Sequence, residues 1–221
     1  MRNCEVHDMG RIGFGAAFAL QQKLVGERKR GSIPDQLLLV EHSHVVTMGR
    51  NGNEENLLAS EEVMSRAGIE FHHTNRGGDV TYHGPGQIVG YPIIDLRDWK
   101  RDVVEYVRGL EQVIIGALAE FDIAAGRIAG CTGVWVENRK IAAIGVHISR
   151  WVTSHGFALN LNTDLRYFQY IVPCGLTKPV TSMWREGCNA SRGQVTTALV
   201  EQFGKVYGCG MEQPVLTKEN I

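Results

Sequence analysis

The sequence predicts an α/β domain of the α+β kind spanning residues 1–221, with a mixed, largely antiparallel sheet flanked by helices. Three observations predict it. Apolar runs of strand length recur along the chain, and two of them, Ile128 to Trp135 and Ile141 to Ile148, are separated by little more than the polar turn Glu137-Asn138-Arg139. Helical patterns fall irregularly among these runs, without the strict alternation that a parallel doubly wound sheet requires. Finally, 221 residues, 43% of them hydrophobic, suit a single sizeable core, and no internal repeat or low-complexity linker divides them.

Taken in order, residues 14–29 mix apolar side chains with Gln21, Gln22, Lys23 and Glu27, an amphipathic helix that ends near Gly31. Leu37 to Glu41 reads as a buried strand, with Val45 to Gly49 as its partner after a histidine-containing turn. Ser60 followed by Glu61 and Glu62 is a helix cap, and Ile69 to His73 is a strand leading into a glycine-rich loop. Val80 to Tyr82 is a short strand within that loop, and Ile88 to Ile94 is an apolar strand after it. Asp102 to Phe121 is the clearest helix, with Val103, Val107, Leu110, Ile114 and Leu118 on one buried stripe. Phe157 to Leu161 adds a strand. A last helix, with Val195, Leu199, Phe203 and Val206 on one side, precedes a short polar tail.

Composition excludes several functions. With 23 basic against 24 acidic side chains and a net charge of -1, the chain has no electrostatic footprint for nucleic acid. No stretch approaches the roughly 20 apolar residues of a membrane span, and the N-terminus lacks a signal-peptide pattern, so a cytoplasmic protein is expected. The five cysteines, at positions 4, 131, 174, 188 and 209, form no C-x-x-C pair and read as free thiols. His42 and His44, two apart, would share one side of an extended segment, but no third ligand stands at a metal-binding spacing.

The densest chemistry lies in Arg76-Gly77-Gly78-Asp79-Val80-Thr81-Tyr82-His83-Gly84-Pro85-Gly86-Gln87. Its glycines permit torsions closed to other residues and let a ligand lie against bare peptide, while Arg, Asp, Tyr, His and Gln side chains stand among them. The plainer alternative is a pair of glycine turns flanking a strand. A phosphate cradle does not fit, because the segment lacks the Lys-Ser/Thr ending of a P-loop and leads into a strand instead of a helix.

Two further residues invite attention. Alternation in an unbulged strand places Lys140 on the apolar face of Ala142, Ile144, Val146 and Ile148, where partial loss of hydration favours the neutral amine. A lysine at a hairpin end whose stem packs on the sheet while its charge reaches water is the alternative. Cys174 sits between Pro173 and Gly175, which hold the thiol in a turn at the end of an apolar strand. It is the best-framed nucleophile of the five. A thiol reacts as thiolate and ordinarily ionises near pH ~8.5, so it needs a cation or base, for which Lys140, His83 and His155 compete.

The twelve-residue stretch resembles the signature loop of the octanoyl-[acyl carrier protein]:protein octanoyltransferases, or lipoyl(octanoyl) transferases, in the biotin and lipoate protein ligase superfamily. The resemblance covers most of the chain, from about the first strand to the last helix, and points to the architecture of that superfamily's catalytic domain. In that family a lysine and a Pro-Cys-Gly cysteine, matched here by Lys140 and Cys174, form the catalytic pair. The resemblance also carries acyl-binding positions: Arg76, Gly77, Gly78, Asp79, Val80, Thr81, Tyr82 and His83 in the loop, Ala143, Ile144 and Gly145 in one strand, and His155, Gly156, Phe157 and Ala158 in another. It implies transfer of an octanoyl group from octanoyl-acyl carrier protein, through a Cys174 thioester, to a lysine of the lipoyl domains of 2-oxo acid dehydrogenase E2 subunits or of glycine cleavage H protein. That is the first step of protein lipoylation, and it implies no ATP, metal or other cofactor. Two other readings compete: an ATP-dependent lipoate or biotin protein ligase, which needs no nucleophilic cysteine, and a non-catalytic acyl-carrier-binding module.

Overall fold

The structure, a computed structural model, describes residues 2–172 and 178–213. Cys174 and its Pro-Cys-Gly turn lie outside the described residues. Along the chain come β1 (Arg2–Arg11), α1 (Phe14–Lys29), β2 (Asp35–Glu41), β3 (Val45–Met48), α2 (Glu61–Arg66), β4 (Glu70–His73), β5 (Val80–His83) and β6 (Gln87–Ile93). They are followed by α3 (Val103–Ala119), β7 (Gly126–Ile128), β8 (Cys131–Val136), β9 (Arg139–Ser149), β10 (Val152–Asn160), α4 (Arg192–Tyr207) and β11 (Cys209–Glu212). Among the described residues eight strands form the main sheet, in the order β11-β1-β2-β6-β10-β9-β8-β7, and β4-β3-β5 form a smaller one.

Both sheets are mixed. In the main sheet β1 pairs in parallel with β11 and β2, and the remaining pairs run antiparallel. One face of this sheet carries α3 and α4 over a core that includes Leu37, Leu39, Ile88, Phe157 and Leu159. The other face is covered in part by α1, over Leu38, Val40, Val89, Tyr91 and Ala158. Alternate residues of β2, β6 and β10 therefore serve two different cores, which is why those strands read as unbroken apolar runs. No helix among the described residues is long and apolar enough to cross a membrane.

Where sequence periodicity is strong the elements form as expected. Ser60 caps α2 by accepting the Val63 N–H at 3.3 Å. In α3, Leu110, Ile114 and Leu118 are fully buried, each stabilising the fold by about 1.5–3 kcal/mol relative to exposure. The stripe does not reach Val103, which is 43% exposed, because the first turn of α3 stands clear of the core. Residues 14–29 do form a helix, which buries Phe14, Ala17 and Gln21, but its apolar and polar side chains are spread around it, so the amphipathic expectation does not hold for α1. A capping box of Ser191 and Gln194 opens α4, and Gly208 closes it at φ +64. Ser191→Ala should cost about 1 kcal/mol of stability, read as a lowered midpoint of urea unfolding with an unchanged slope.

Three further expectations are corrected. Val45 to Met48 does not pair with β2, whose two edges are taken by β1 and β6; it joins β5 through Val45↔His83 and Thr47↔Thr81 in the smaller sheet. The run 128–135 is not one strand, because Ala129-Gly130, with Gly130 at φ +75, turns the chain between β7 and β8. Sequence reading also overlooked β1, in which Cys4 and Val6 are buried among polar neighbours, and β11, taken as tail.

Candidate acyl-binding and transfer site

A narrow cleft lies between the main sheet and the smaller sheet, with the N-terminal turn of α1 at one side. Its floor is made of small residues on neighbouring strands: Ala143 and Gly145 of β9 pair with Ala158 and Gly156 of β10. Its opposite wall comes from the glycine-rich loop and β5, through Arg76, Gly78, Thr81 and His83. Ile144 and Phe157 also border it. Phe157 lies mainly in the core below, where its ring fills the space that a side chain at Gly90 would take.

The wall is fastened to the floor through backbone. Gly77 donates its N–H to the Val146 carbonyl at 2.8 Å, and a Cβ on Gly145 would stand 3.0 Å from the Gly77 oxygen and 3.2 Å from Arg76 Cδ. Gly78, at φ +83, takes a conformation that side chains oppose. The Arg76 guanidinium is 7% exposed and donates to the Thr47 carbonyl at 2.6 Å, to Thr47 Oγ1 at 2.9 Å and to the Gly77 carbonyl at 3.1 Å.

Four members of the expected loop face elsewhere. Gly77 serves through its backbone. Asp79 accepts the N–H groups of Asn53 at 3.0 Å and Val80 at 2.7 Å, and the amide of Asn56, so its carboxylate braces the loop from behind. Val80 is in the core of the smaller sheet. Tyr82 bonds His44 Nδ1 at 2.7 Å and stacks on Tyr167. Conversely, sequence reasoning missed Phe14, Thr47, Val89 and Tyr91 as lining residues, since apolar and aromatic positions in strands and helices look like ordinary core.

Lys140 is only 6% exposed. It lines a small recess with Gln87, Asn160, Phe168 and Val180, and this recess shares Thr81, Ala143 and Ala158 with the larger cleft. The expected face is corrected here by a β-bulge. Val134 pairs with Ala142 while the next residue, Trp135, pairs with Lys140, so Ile141 is the extra residue. Ile141 and Ala142 both enter the helix-side core, and Lys140 is turned to the opposite face, with Ala143. Its ammonium nitrogen lies 4.8 Å from the centroid of the Trp135 ring, over which Lys178 also stands at 5.4 Å. The backbone is clamped as well: Lys140 N–H donates to the Pro179 carbonyl and its own carbonyl accepts the Thr181 N–H, both at 2.9 Å.

The two histidines that compete with this lysine are held neutral. His83 donates from Nδ1 to Gln87 Oε1 at 2.7 Å, Gln87 donates to Asn160 Oδ1 at 2.9 Å, and Asn160 donates to the Thr181 carbonyl at 2.9 Å. Burial, with His42 and Arg76 nearby, pushes His83 down to about 3. His155 takes φ +54, donates its backbone N–H to Gln21 Oε1 at 2.8 Å, and pairs its Nε2 with Asn75 Oδ1 at 2.7 Å. Burial and the Arg76 charge push it, too, down to about 3. Groups so reluctant to take a proton are poor bases at neutral pH. His42 and His44 do not share a ligand site: both nitrogens of His42 are committed, to the Ile12 carbonyl and the Tyr91 hydroxyl, each at 2.8 Å. Among the described residues no group of three or more His, Cys, Asp or Glu could hold a metal ion.

Comparison with known proteins agrees with this architecture. Residues 14–204 match the lipoyl protein ligase A/B catalytic domain. The octanoyltransferase of Solibacter usitatus is 62% identical over 207 residues, covering 94% of this chain and 94% of that protein. The octanoyltransferase of Koribacter versatilis is 51% identical over 210 residues, covering 92% and 84%. Among solved structures, lipoate-protein ligase A bound with ATP superposes with a TM-score of 0.77 at 15% identity, covering 99% of this chain and 90% of that one. The bipartite lipoate protein ligase of Thermoplasma acidophilum gives 0.78 at 15% identity, covering 99% and 89%. At such identity these two likenesses concern the fold alone.

Proposed function

The chain belongs to the lipoyl protein ligase A/B catalytic domain family, and from that premise we propose that it is an octanoyltransferase working through a cysteine thioester. Octanoyl-acyl carrier protein is the donor, and the acceptor is a lysine of a lipoyl domain in a 2-oxo acid dehydrogenase E2 subunit or of glycine cleavage H protein. The observation that carries the reading is the position of Lys140: a buried amine at one end of an apolar cleft, joined to it through Thr81, Ala143 and Ala158.

The reaction balances with two side chains. The Cys174 thiolate, held against the Lys140 ammonium, attacks the thioester carbonyl. The carbon–sulfur bond to the carrier breaks, and the carrier's thiolate takes the lysine's proton. In the second half, the acceptor amine attacks the S-octanoyl carbonyl, Lys140 as free amine receives its proton, and the Cys174 thiolate leaves. One thioester is exchanged for another and then for a more stable amide, so no ATP is consumed. The pairing is supported by the described chain on either side of residues 173–177. Val172 is anchored by its N–H to the Asn56 carbonyl at 2.7 Å, and Lys178 shares the Trp135 ring with Lys140.

The test is intact mass after incubation with octanoyl-acyl carrier protein. One octanoyl group should add to the protein, vanish in Cys174→Ser and persist in Cys131→Ser, the half-buried cysteine at the start of β8. Formation of pyrophosphate from ATP and free lipoate, with no mass adduct, would overturn the transferase in favour of a ligase.

A further inference from the structure

The cleft carries a measure of length. Counting outward from Lys140, the strands supply successive layers to the same face: Gln87 and Asn160 beside the lysine, then Val89, Ala158 and Ala143, then Tyr91, Gly156 and Gly145. Strand residues rise about 3.3 Å each, so adjacent layers lie roughly 6.7 Å apart and the third is about 13 Å from the first. Between them the floor is alanine and glycine on β9 and β10, smooth enough for an unbranched chain. The first large side chain on the floor is the Tyr91 ring, 3% exposed, with His155 edge-on to it at 6.3 Å.

We propose that Tyr91 is the stop that sets the length of acyl chain the cleft accepts. The inference rests on the octanoyl-transfer reading above, which puts the acyl carbonyl at the Lys140 layer. Three bonds of a fully extended chain advance about 3.6 Å, so the seven carbon–carbon bonds of an octanoyl group reach about 8–9 Å. With the terminal methyl's own radius, the tail ends against the third layer; two more methylenes drive it into the ring. The ring cannot swing away easily. His42 donates from Nδ1 to the Ile12 carbonyl, which leaves Nε2 to accept the Tyr91 hydroxyl, and Phe14 packs edge-on to His42 at 5.6 Å. A stop of this kind is needed, since each further buried methylene would otherwise favour binding about fourfold and the longest chains would win.

The experiment is competition among equimolar hexanoyl-, octanoyl-, decanoyl- and dodecanoyl-acyl carrier proteins, read by mass of the acylated enzyme and of an acylated lipoyl domain. The unaltered protein should select octanoyl. Tyr91→Ala should raise the decanoyl-to-octanoyl ratio from below one to about 16, fourfold for each of two methylenes. Ala158→Val, which narrows the middle layer, should move preference toward hexanoyl and carries the test if Tyr91→Ala fails to fold. An unchanged order of chain lengths in an acylated Tyr91→Ala protein, or in Ala158→Val where that variant carries the test, overturns Tyr91 as the stop and leaves the transferase standing. Absence of any acyl transfer by the unaltered protein overturns the transferase reading itself.

Discussion

Lys140→Met should lower the rate of octanoyl transfer by about 10²–10⁴-fold, the usual contribution of a positioned proton-transfer group. Methionine keeps most of the stem that packs beside Trp135 and Asn160, so the loss falls on the amine and not on the fold. Two half-reactions separate its roles. Acyl-enzyme formation should slow because the Cys174 thiolate loses its cation, and alkylation of that thiol by iodoacetamide should slow in parallel. Acyl release to a lipoyl domain should slow because nothing receives the amine's proton. Lys140→Arg distinguishes the two: a guanidinium keeps the charge and does not give up its proton, so the first half should be partly restored and the second should not. Transfer within threefold of the unaltered protein in Lys140→Met, measured in a single turnover, would remove the lysine from the mechanism.

Between pH 6.5 and 4.5 the protein should lose stability steeply. Desolvation holds buried His83 and His155 down to about 3, whereas in an unfolded chain they titrate near ~6.5. In that window the unfolded state binds protons that the folded state refuses, so stability is fully present above the unfolded value and falls as pH is lowered toward the folded one. The slope is about 1.4 kcal/mol per pH unit for each histidine, so at pH 4.5 the pair has removed roughly 5 kcal/mol, a large part of an ordinary domain's stability. The window lies above the range in which Asp8, Asp95 and Asp164, all lowered by their arginine partners, take up protons. Urea unfolding at half-unit pH steps measures the slope, and His83→Gln should lower it by about 1.4 kcal/mol per pH unit. A flat profile from pH 7 to 4.5 would mean that neither ring is kept neutral by the fold.

The glycine-rich wall was legible in the sequence because its chemistry is local: each glycine and each polar neighbour announces a backbone conformation or a contact within a few residues. Even so, half of its meaning was positional. Asp79 and Tyr82 belong to the motif, yet one braces the loop against Asn53 and Asn56 and the other stacks behind it. The far wall gave no signal. Val89 and Tyr91 sit in an apolar strand and Phe14 opens a helix, and nothing in hydrophobicity separates a side chain that borders a cleft from one that fills a core.

Lys140 marks the boundary between the two kinds of information. Its presence at a hairpin end and the apolar character of the strand after it follow from residue order alone, as do the long helices, the capped turns and the runs that must be buried. Its direction does not. A single extra residue, Ile141, reverses the face, and whether the strand bulges there depends on how β8 pairs with it and on the core that draws Ile141 and Ala142 inward. The same holds for the partner of β3 and for the layers that end at Tyr91. Periodicity along one strand decides which residues share a side; only pairing between strands decides which side faces the cleft, because register is a property of the hydrogen bonds between two strands and not of either one.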